Sequence, residues 1–262
     1  MALEGDTARG ALLIGAVTLF VVLEALQPAR GGRGRRRRQR WGLNLTLGAL
    51  GFAVSRGFAF LGPVAAAAWA QSAGFGLFNV VSAPAILAFV AAMLVLDLGV
   101  YAQHRALHEA PWLWRLHRVH HTDTTLDLST AWRFHPFELG ASLLWKAAIA
   151  AAVGAPPEAV AAYELTLALA ALFTHADIRL SPGLDRIVRL VIATPAVHER
   201  HHGVALVDQH SNYGSVLTVW DRAFGSWRAP QPEGMGVLGL EGVGASTADA
   251  LGEGLLDPFR QR

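Results

Sequence analysis

Cysteine is absent from the 262 residues of this chain. That absence excludes disulfide bonds, thiolate zinc sites, a cysteine nucleophile and a cysteine-ligated iron–sulfur cluster within the chain. Charged residues are also scarce, at 16%, whereas hydrophobic residues make up 53%. Both values lie on the apolar side of ordinary soluble proteins. Any redox or soft-metal chemistry in this chain must therefore use histidine ligands.

The apolar residues occur in long blocks, which indicates a membrane protein. Residues 11–27 indicate a retained first membrane helix, because the positive charges follow this segment, whereas they precede the apolar core of a signal peptide. The further apolar blocks are residues 43–70, 84–103, 138–154 and 157–175. The block 43–70 contains Arg56 and Gly62-Pro63, so it is either one helix or two shorter ones. The last two blocks predict a helical hairpin.

A dense basic cluster lies between the first two apolar blocks and comprises Arg30, Arg33, Arg35, Arg36, Arg37, Arg38 and Arg40. Its position favours a cytoplasmic membrane-flanking loop over a nucleic-acid-binding patch. No Lys or Arg occurs between Arg56 and Arg105, which is typical of the opposite side. Counting crossings from the cluster places His104 and His175 at the cytoplasmic face.

These observations predict an all-α membrane protein with about four to five transmembrane or membrane-embedded helices and a histidine-rich helical cap at the cytoplasmic face. We divide the chain into N-terminal membrane helices with the basic loop (1–83), a catalytic domain (84–228) and a C-terminal tail (229–262). The expected location is the cell membrane, which the chain crosses several times.

The 11 histidines all lie between residues 104 and 210, and most of them form three tight clusters. The clusters are His104/His108, His117/His120/His121 and His198/His201/His202. Residues three and four apart share one face of a helix, so each cluster can direct its imidazoles to one point. His175 and His135 are further candidate ligands, whereas His210 stands in a polar loop.

Eight to ten imidazoles exceed the three or four protein ligands of a single zinc site and indicate two metal ions. Imidazole suits Zn, Cu, Fe or Ni, and iron is the metal that makes a thiol-free membrane site useful for O2 chemistry. Asp97 and Tyr101 lie on the same helical stripe as His104 and His108. We assign both to the catalytic site, with the Asp97 carboxylate as a group that could orient a ligand's second nitrogen.

The sequence resembles the fatty acid hydroxylase / sterol desaturase superfamily of integral-membrane proteins. The resemblance covers about residues 97–228 and rests on five segments. They are Asp97-x3-Tyr101-x2-His104-x3-His108, Leu113-Trp114-x2-His117-x2-His120-His121, Thr130-Ala131-x-Arg133-x-His135-Pro136-x-Glu138, Thr194-Pro195-x2-His198-x2-His201-His202, and Asn212-Tyr213-Gly214 with Trp220-Asp221-Arg222-x-Phe224-Gly225.

The resemblance implies a di-iron centre, O2 as oxidant, and hydroxylation or desaturation of a lipid. It carries the ligand role to the eight clustered histidines and to His175 and His135. Two positions depart from the pattern, because Ala176-Asp177 follows His175 and Glu199 stands where a basic residue is common. Because the chain has no thiol, nucleotide-binding glycine motif or haem domain, we expect a separate electron-transfer protein as donor.

Two other functions remain open from the sequence alone. His198-Glu199-x-x-His202 is an HExxH sequence, the motif of zinc metalloproteases in which the glutamate is the general base. This interpretation leaves the histidines between 104 and 121 unexplained. A non-catalytic metal-binding membrane protein is the other alternative. Nucleic acid is not an expected partner; the lipid substrate and the bilayer are.

Overall fold

The structure is a computed structural model that describes residues 2–30, 37–81, 83–231, 234 and 236–259. Over these residues the chain is helical, apart from loops and two isolated β-bridges. Three residues of the basic cluster, Arg33, Arg35 and Arg36, lie outside the described residues.

The described residues form fourteen α-helices. They are α1 (Ala2–Leu26), α2 (Arg37–Gly57), α3 (Pro63–Ala73), α4 (Leu77–Val80), α5 (Ala85–Glu109), α6 (Pro111–His121), α7 (Pro136–Val153), α8 (Pro157–His175), α9 (Pro182–Val188), α10 (Pro195–His201), α11 (Leu206–Gln209), α12 (Val219–Ala223), α13 (Ala245–Ala248) and α14 (Leu251–Leu256). Short 3₁₀ turns cover Ala59–Leu61, Leu128–Trp132 and Asp257–Phe259.

Four helices in the described part of the chain are long and apolar enough to cross a membrane. The spans are Thr7–Leu26, Ala85–Glu109, Pro136–Val153 and Pro157–His175. Their outer faces carry large apolar side chains that no other helix covers, such as Ile14 at 69% exposure and Ile86 at 72%. Such faces suit a hydrocarbon surrounding. The prediction of an all-α membrane protein is confirmed.

The second apolar block of the sequence is two helices and not one. The chain leaves α2 at Gly57, makes the turn Ala59–Leu61 and begins α3 with Pro63 as its first residue. Proline lacks an N–H group and fits only the first turn of a helix, so Gly62-Pro63 separates the two. Arg56 is exposed in the last turn of α2.

The membrane helices pack closely because small residues line their contacts. α5 lies against α7 and α8, and α3 covers the same pair. Ala92, Ala150 and Ala159 are fully buried in this core. At Gly99 a Cβ atom would collide with Ile149 of α7, and the Gly99 carbonyl accepts a hydrogen bond of 2.9 Å from Trp145 Nε1. Small residues allow this approach of helix backbones.

A polar cap lies at one end of these helices and is held by a buried ionic network. Arg40 of α2 donates to Asp123 at 2.9 Å and also bonds Asp127. Arg133, fully buried, donates to the Asn44 side chain at 2.9 Å. Burial alone would raise the pKa of Asp123, but Arg40 and Arg133 hold this pKa below its ordinary value. The start of α2 is thereby fixed beside α6.

The C-terminal segment folds back onto the cap. The carbonyl of Ala248 accepts a hydrogen bond of 2.6 Å from Arg133, and Arg118 of α6 pairs with Asp257 at 3.2 Å. Leu255 packs on Leu43 and Val119. Residues 245–259 therefore cover the outer side of α6.

Candidate metal centre

Three short helical segments carry the histidine clusters to one place. α5 continues past its apolar part to Glu109, so His104 and His108 lie in its last two turns. Pro111 then begins α6, which places His117, His120 and His121 in its second half. α10 carries His198 and His201, and His202 is its C-cap. The Thr194 side chain caps the first turn of α10 by accepting from Val197 N at 3.4 Å.

Nine buried histidines form two groups. One group has five members, His104, His108, His117, His121 and His201, and the other has four, His120, His175, His198 and His202. Within each group the candidate ligand nitrogens all lie within 4.8 Å of one another. The rings of His121 and His202, one from each group, stack with centroids 4.3 Å apart. The two groups are therefore immediate neighbours.

Histidines that are adjacent in the sequence belong to different groups. His120 and His201 belong to different groups from the residues that follow them, His121 and His202. Successive residues of an α-helix point about 100° apart, so adjacent histidines cannot serve one centre. Each HxxHH cluster consequently provides candidate ligands to both groups.

The hydrogen bonds of the second ring nitrogens show that several rings present bare lone pairs. Nδ1 of His120 faces the Arg133 carbonyl at 3.3 Å, and Nδ1 of His175 faces the Ala171 carbonyl at 2.7 Å. A carbonyl only accepts, so both Nδ1 atoms carry the proton and both Nε2 atoms do not. These two Nε2 atoms nevertheless lie 3.1 Å apart. Facing lone pairs repel, and a bound cation would remove that repulsion.

The five-histidine group contains the same arrangement. Nδ1 of His104 donates to the Tyr213 carbonyl at 2.8 Å, and Nδ1 of His117 donates to Glu138 Oε1 at 2.7 Å. Their Nε2 atoms lie 3.2 Å apart. A carboxylate behind a histidine is a common support for a metal ligand, because it fixes the tautomer and raises the basicity of the ring.

Other ring nitrogens are buried without a hydrogen-bond partner among the described residues. They are both nitrogens of His108 and of His121, Nε2 of His201 and Nδ1 of His202. Leaving a buried polar atom unpaired costs about 1–3 kcal/mol each. Metal coordination would satisfy one nitrogen of a ring, which accounts for His201 Nε2 and for one nitrogen each of His108 and His121. The donor set, all imidazole, suits iron, zinc, copper or nickel, so the residues present fit a pair of such ions.

Burial keeps the cap histidines neutral. It lowers the pKa of His120, His121, His198 and His202 well below the ordinary value, and neighbouring imidazoles lower it further. Burial lowers the pKa of His201 to about 3. Neutral imidazole is the metal-binding form, so these rings are ready ligands at physiological pH.

The two remaining histidines lie apart from both groups. His135 is the N-cap of α7; its Nδ1 accepts from Phe137 N at 3.2 Å and its Nε2 faces the Leu255 carbonyl at 3.4 Å. Although the sequence resemblance suggests a ligand role, the structure does not bring His135 into a group. His210 is exposed in its loop, with its ring 6.1 Å from that of His108.

Asp97 and Tyr101 are buried on the histidine stripe of α5 but contact other partners. Asp97 accepts hydrogen bonds from the Tyr163 hydroxyl at 3.0 Å and from Trp220 Nε1 at 2.8 Å. The Tyr101 hydroxyl bonds Ser226 Oγ at 2.9 Å. The carboxylate that orients a histidine is Glu138, which lies in a segment of the family pattern but received no role from the sequence.

The glutamate of the HExxH sequence is engaged elsewhere. Glu199 accepts a hydrogen bond of 3.1 Å from Arg30 Nε, whereas both His198 and His202 belong to the four-histidine group. A metalloprotease needs its glutamate directed at the metal-bound water. The geometry therefore does not favour the protease interpretation.

A cavity of about 330 Å³ extends from the histidine groups into the helix bundle. Five histidines line it at the cap, namely His104, His117, His120, His175 and His198. Its wall is largely apolar and includes Leu107, Leu143 and Leu167. Lys146 of α7 and Glu164 of α8 also line it, closer to the tip of the hairpin. The cavity can accept an apolar chain next to the candidate metal site.

The fold and the site together define a helical membrane protein with two buried, all-histidine groups that could each hold a metal ion. The chain belongs to the fatty acid hydroxylase family, whose model matches residues 89–226, more than half of the chain.

Individual relatives have named lipid substrates. The chain is 29% identical over 164 residues to ornithine lipid hydroxylase OlsE of Rhizobium tropici, covering 61% of this chain and 47% of that one. It is 31% identical over 140 residues to human alkylglycerol monooxygenase, with coverage of 53% and 30%. It is 29% identical over 159 residues to Delta(7)-sterol 5(6)-desaturase erg3B of Aspergillus fumigatus, with coverage of 61% and 43%.

The chain thus spans less than half of the length of each of these relatives. No solved structure matches the chain.

Proposed function

We propose that this chain is a membrane-bound oxidoreductase that uses O2 and two histidine-bound iron ions to hydroxylate or desaturate a lipid. The observation that carries the proposal is the pair of adjacent, buried, all-histidine groups at the mouth of an apolar cavity. The named relatives, which include a lipid hydroxylase, a monooxygenase and a desaturase, support this reaction class.

The protein's own residues prepare the reaction. Two iron ions held by the two groups would supply the activation of O2 that an unactivated C–H bond requires. The apolar wall of Leu107, Leu143 and Leu167 binds the lipid chain and excludes water. Glu138 holds the proton on His117 Nδ1, so that Nε2 remains free to bind metal.

The overall balance requires an external reductant. Hydroxylation places one oxygen atom of O2 in a C–H bond and releases the other as water, which consumes two electrons and two protons. Desaturation removes two hydrogens from the lipid and reduces O2 to two waters with the same two electrons and two protons. We propose a separate electron-transfer protein as the source. The purified chain should turn over only after a reductase or ferredoxin is added.

We further propose that the protein lies in the cell membrane with the centre at the cytoplasmic face. Support comes from the basic cluster, since Arg30 and Arg40 bond residues of the histidine-bearing cap. Positive residues concentrate on the cytoplasmic side of membrane proteins. The division into membrane part (1–83), catalytic domain (84–228) and tail (229–262) belongs to the same proposal.

Adjacent histidines provide the sharpest test of the metal centre. We expect about two irons per chain in the purified protein. His201→Ala and His202→Ala each remove one ligand, but from different groups, and each should lower the iron content to about one per chain. His210→Ala, in an exposed loop, is the matched control and should retain both. Metal content is measured by plasma mass spectrometry.

The same measurement separates the alternatives. One zinc per chain that survives His201→Ala and disappears in His202→Ala would support the metalloprotease and contradict the di-iron centre. Two irons without O2 consumption in the presence of lipid extract, donor protein and reductant would support a non-catalytic metal-binding protein.

A further inference from the structure

The hairpin α7–α8 carries an ion pair inside its membrane spans. Lys146 Nζ lies 2.8 Å from Glu164 Oε2 and 2.8 Å from Oε1. The Lys146 side chain is 12% exposed and that of Glu164 is 33% exposed. Both are in the middle of their helices and both line the cavity. Ionisable groups at this depth are costly, so a pair facing a cavity calls for a functional explanation.

The choice of lysine distinguishes this position from the rest of the chain. Of the 22 Lys and Arg residues, Lys146 is the only lysine. Lysine has a compact ammonium group with three rotatable donors, whereas arginine presents a planar fork suited to bidentate carboxylate pairing. Over the described residues the ammonium contacts only the Glu164 oxygens, which leaves donor capacity directed at the cavity.

The positions of Lys146 and Glu164 on their helices indicate how far the ion pair lies from the candidate metal site. Lys146 follows Glu138 by eight residues on α7, which corresponds to about 12 Å of helix. Glu164 precedes His175 by 11 residues on α8, which corresponds to about 16 Å. Glu138 and His175 are part of the candidate metal site. A molecule that reaches both ends of the cavity must therefore extend over roughly this length.

The net charge of the ion pair determines which kind of ligand group it can bind. An ammonium and a carboxylate together are neutral, so a bound group with net charge would leave that charge unbalanced in a low-dielectric site. An uncharged group that both donates and accepts hydrogen bonds can bond both partners without separating them. A hydroxyl and an amide share this property.

We infer that the Lys146–Glu164 pair recognises an uncharged hydroxyl or amide group of the lipid, roughly 12–16 Å from the carbon that is oxidised. This inference rests on the proposed function, since it names the class of lipid that the cavity accepts. It predicts that substrates are not simple alkyl chains. They carry a second polar group at a fixed distance from the reacting carbon.

The single lysine makes binding directly measurable. Reductive methylation of the full chain in detergent modifies Lys146 and the terminal amine, and peptide mass spectrometry separates the two. The probes are dodecanol and tridecane, which match in length but differ in the hydroxyl. The free energy of a hydrogen bond to a charged group corresponds to at least a tenfold change in affinity. We therefore expect dodecanol to protect Lys146 from methylation at about tenfold lower concentration than tridecane. Equal protection by the two probes would overturn the inference.

Two further measurements make the test specific. Lys146→Met combined with Glu164→Leu replaces the pair by apolar residues. Such a replacement of a whole buried ion pair is often neutral for the stability of the fold. This variant should keep the metal content of the wild type, and its thermal stabilisation by dodecanol should equal that by tridecane. A retained preference for dodecanol would place recognition elsewhere. Protection of wild-type Lys146 by dodecanoate at lower concentration than by dodecanol would show an anion site instead.

These binding measurements do not depend on enzymatic turnover, so they test the inference separately from the proposed function. A chain that binds two irons but shows no preference between the probes retains the proposed function and loses only this inference. A chain that prefers dodecanol but binds no iron retains a polar-lipid site and loses the oxidase.

Discussion

At the scale of the residue, the ring nitrogens that face away from the candidate metals determine what the site can bind. Carbonyls of Tyr213, Ala171 and Ser211 each hold an Nδ1 proton at 2.7–2.8 Å. Each carbonyl therefore fixes the tautomer in which Nε2 is unprotonated and able to bind a metal ion. These supports come from loops and helix ends that carry no histidine motif.

Glu138→Gln tests the carboxylate that accepts a hydrogen bond from the candidate ligand His117. The variant removes the charge behind His117 while leaving a side chain of the same shape. We expect a loss of about 10–100-fold in iron affinity or activity, as for other supporting partners of metal ligands. Competition with a chelator measures the affinity. Glu158→Gln, at an exposed position of α8, is the control, and wild-type affinity in Glu138→Gln would contradict the role.

Arg40→Leu tests the ionic network under the cap. The substitution leaves Asp123 and Asp127 buried without their guanidinium partner. Breaking a buried pair by removing one partner costs about 3–5 kcal/mol in the free energy of unfolding. Denaturant titration in detergent measures this loss. Arg38→Leu, which removes a neighbouring but exposed arginine, should change stability by less than about 0.5 kcal/mol; equal losses would refute the network.

At the scale of the element, the loop after α3 docks against the tip of the α7–α8 hairpin. Gly76 has φ +93°, and a Cβ there would collide with the backbone of Gly154 and Ala151. Gly74 has φ +62° but no atom within 4 Å of its Cβ position. Both glycines have a positive φ, but ψ is 24° at Gly74, which is left-handed helical, and 158° at Gly76, so the two differ in backbone conformation as well as in crowding.

Those two differences predict unequal losses of stability for the two alanine variants. Gly74→Ala should cost about 1–2 kcal/mol for its backbone conformation alone. Gly76→Ala should cost about 1–3 kcal/mol more, because its φ and ψ are accessible almost only to glycine and because the backbone atoms it would meet cannot move aside as a side chain can. The free energy of unfolding is measured for both. A loss no larger for Gly76→Ala than for Gly74→Ala would show that the loop is not packed on the hairpin tip.

The sequence predicts the elements well where hydrophobicity and helix signals agree. The hairpin at 138–154 and 157–175 corresponds to α7 and α8, since Pro136 and Pro157 are strong start signals. The helix expected at 84–103 extends to Glu109, where Pro111 begins the next helix. The expectation is too short because the last turns of α5 are polar and hydrophobicity does not mark them. The block 43–70 divides at the Gly62-Pro63 that the sequence marks as a bend.

The sequence predicts that a histidine site exists better than it predicts which residues contact one another there. Helical spacing shows which histidines of one helix share a face, but it contains nothing on how α6 and α10 cross, so it does not predict which histidines of different helices form a group. The partners of Asp97, which are Tyr163 and Trp220, lie 66 and 123 residues further along the chain. Long-range contacts of this kind have no local signature.

At the scale of the whole molecule, the absence of cysteine permits a direct test of orientation. Ser72 at the end of α3 lies near the hairpin tip, whereas Gly183 of α9 lies at the histidine end, and both are exposed. A membrane-impermeant maleimide should label Ser72→Cys in intact cells and Gly183→Cys only after permeabilisation. Labelling in the reverse order would place the metal centre outside the cytoplasm.

The division of each HxxHH cluster between the two groups also dictates when the protein can mature. Each group takes ligands from α10, so a nascent chain that ends before Pro195 has four of the five ligands of one group and two of the four of the other. All four spans are already synthesised by then. Under the proposed function, iron loading is therefore a late event in biogenesis, and a cell short of iron should accumulate an inserted but immature protein.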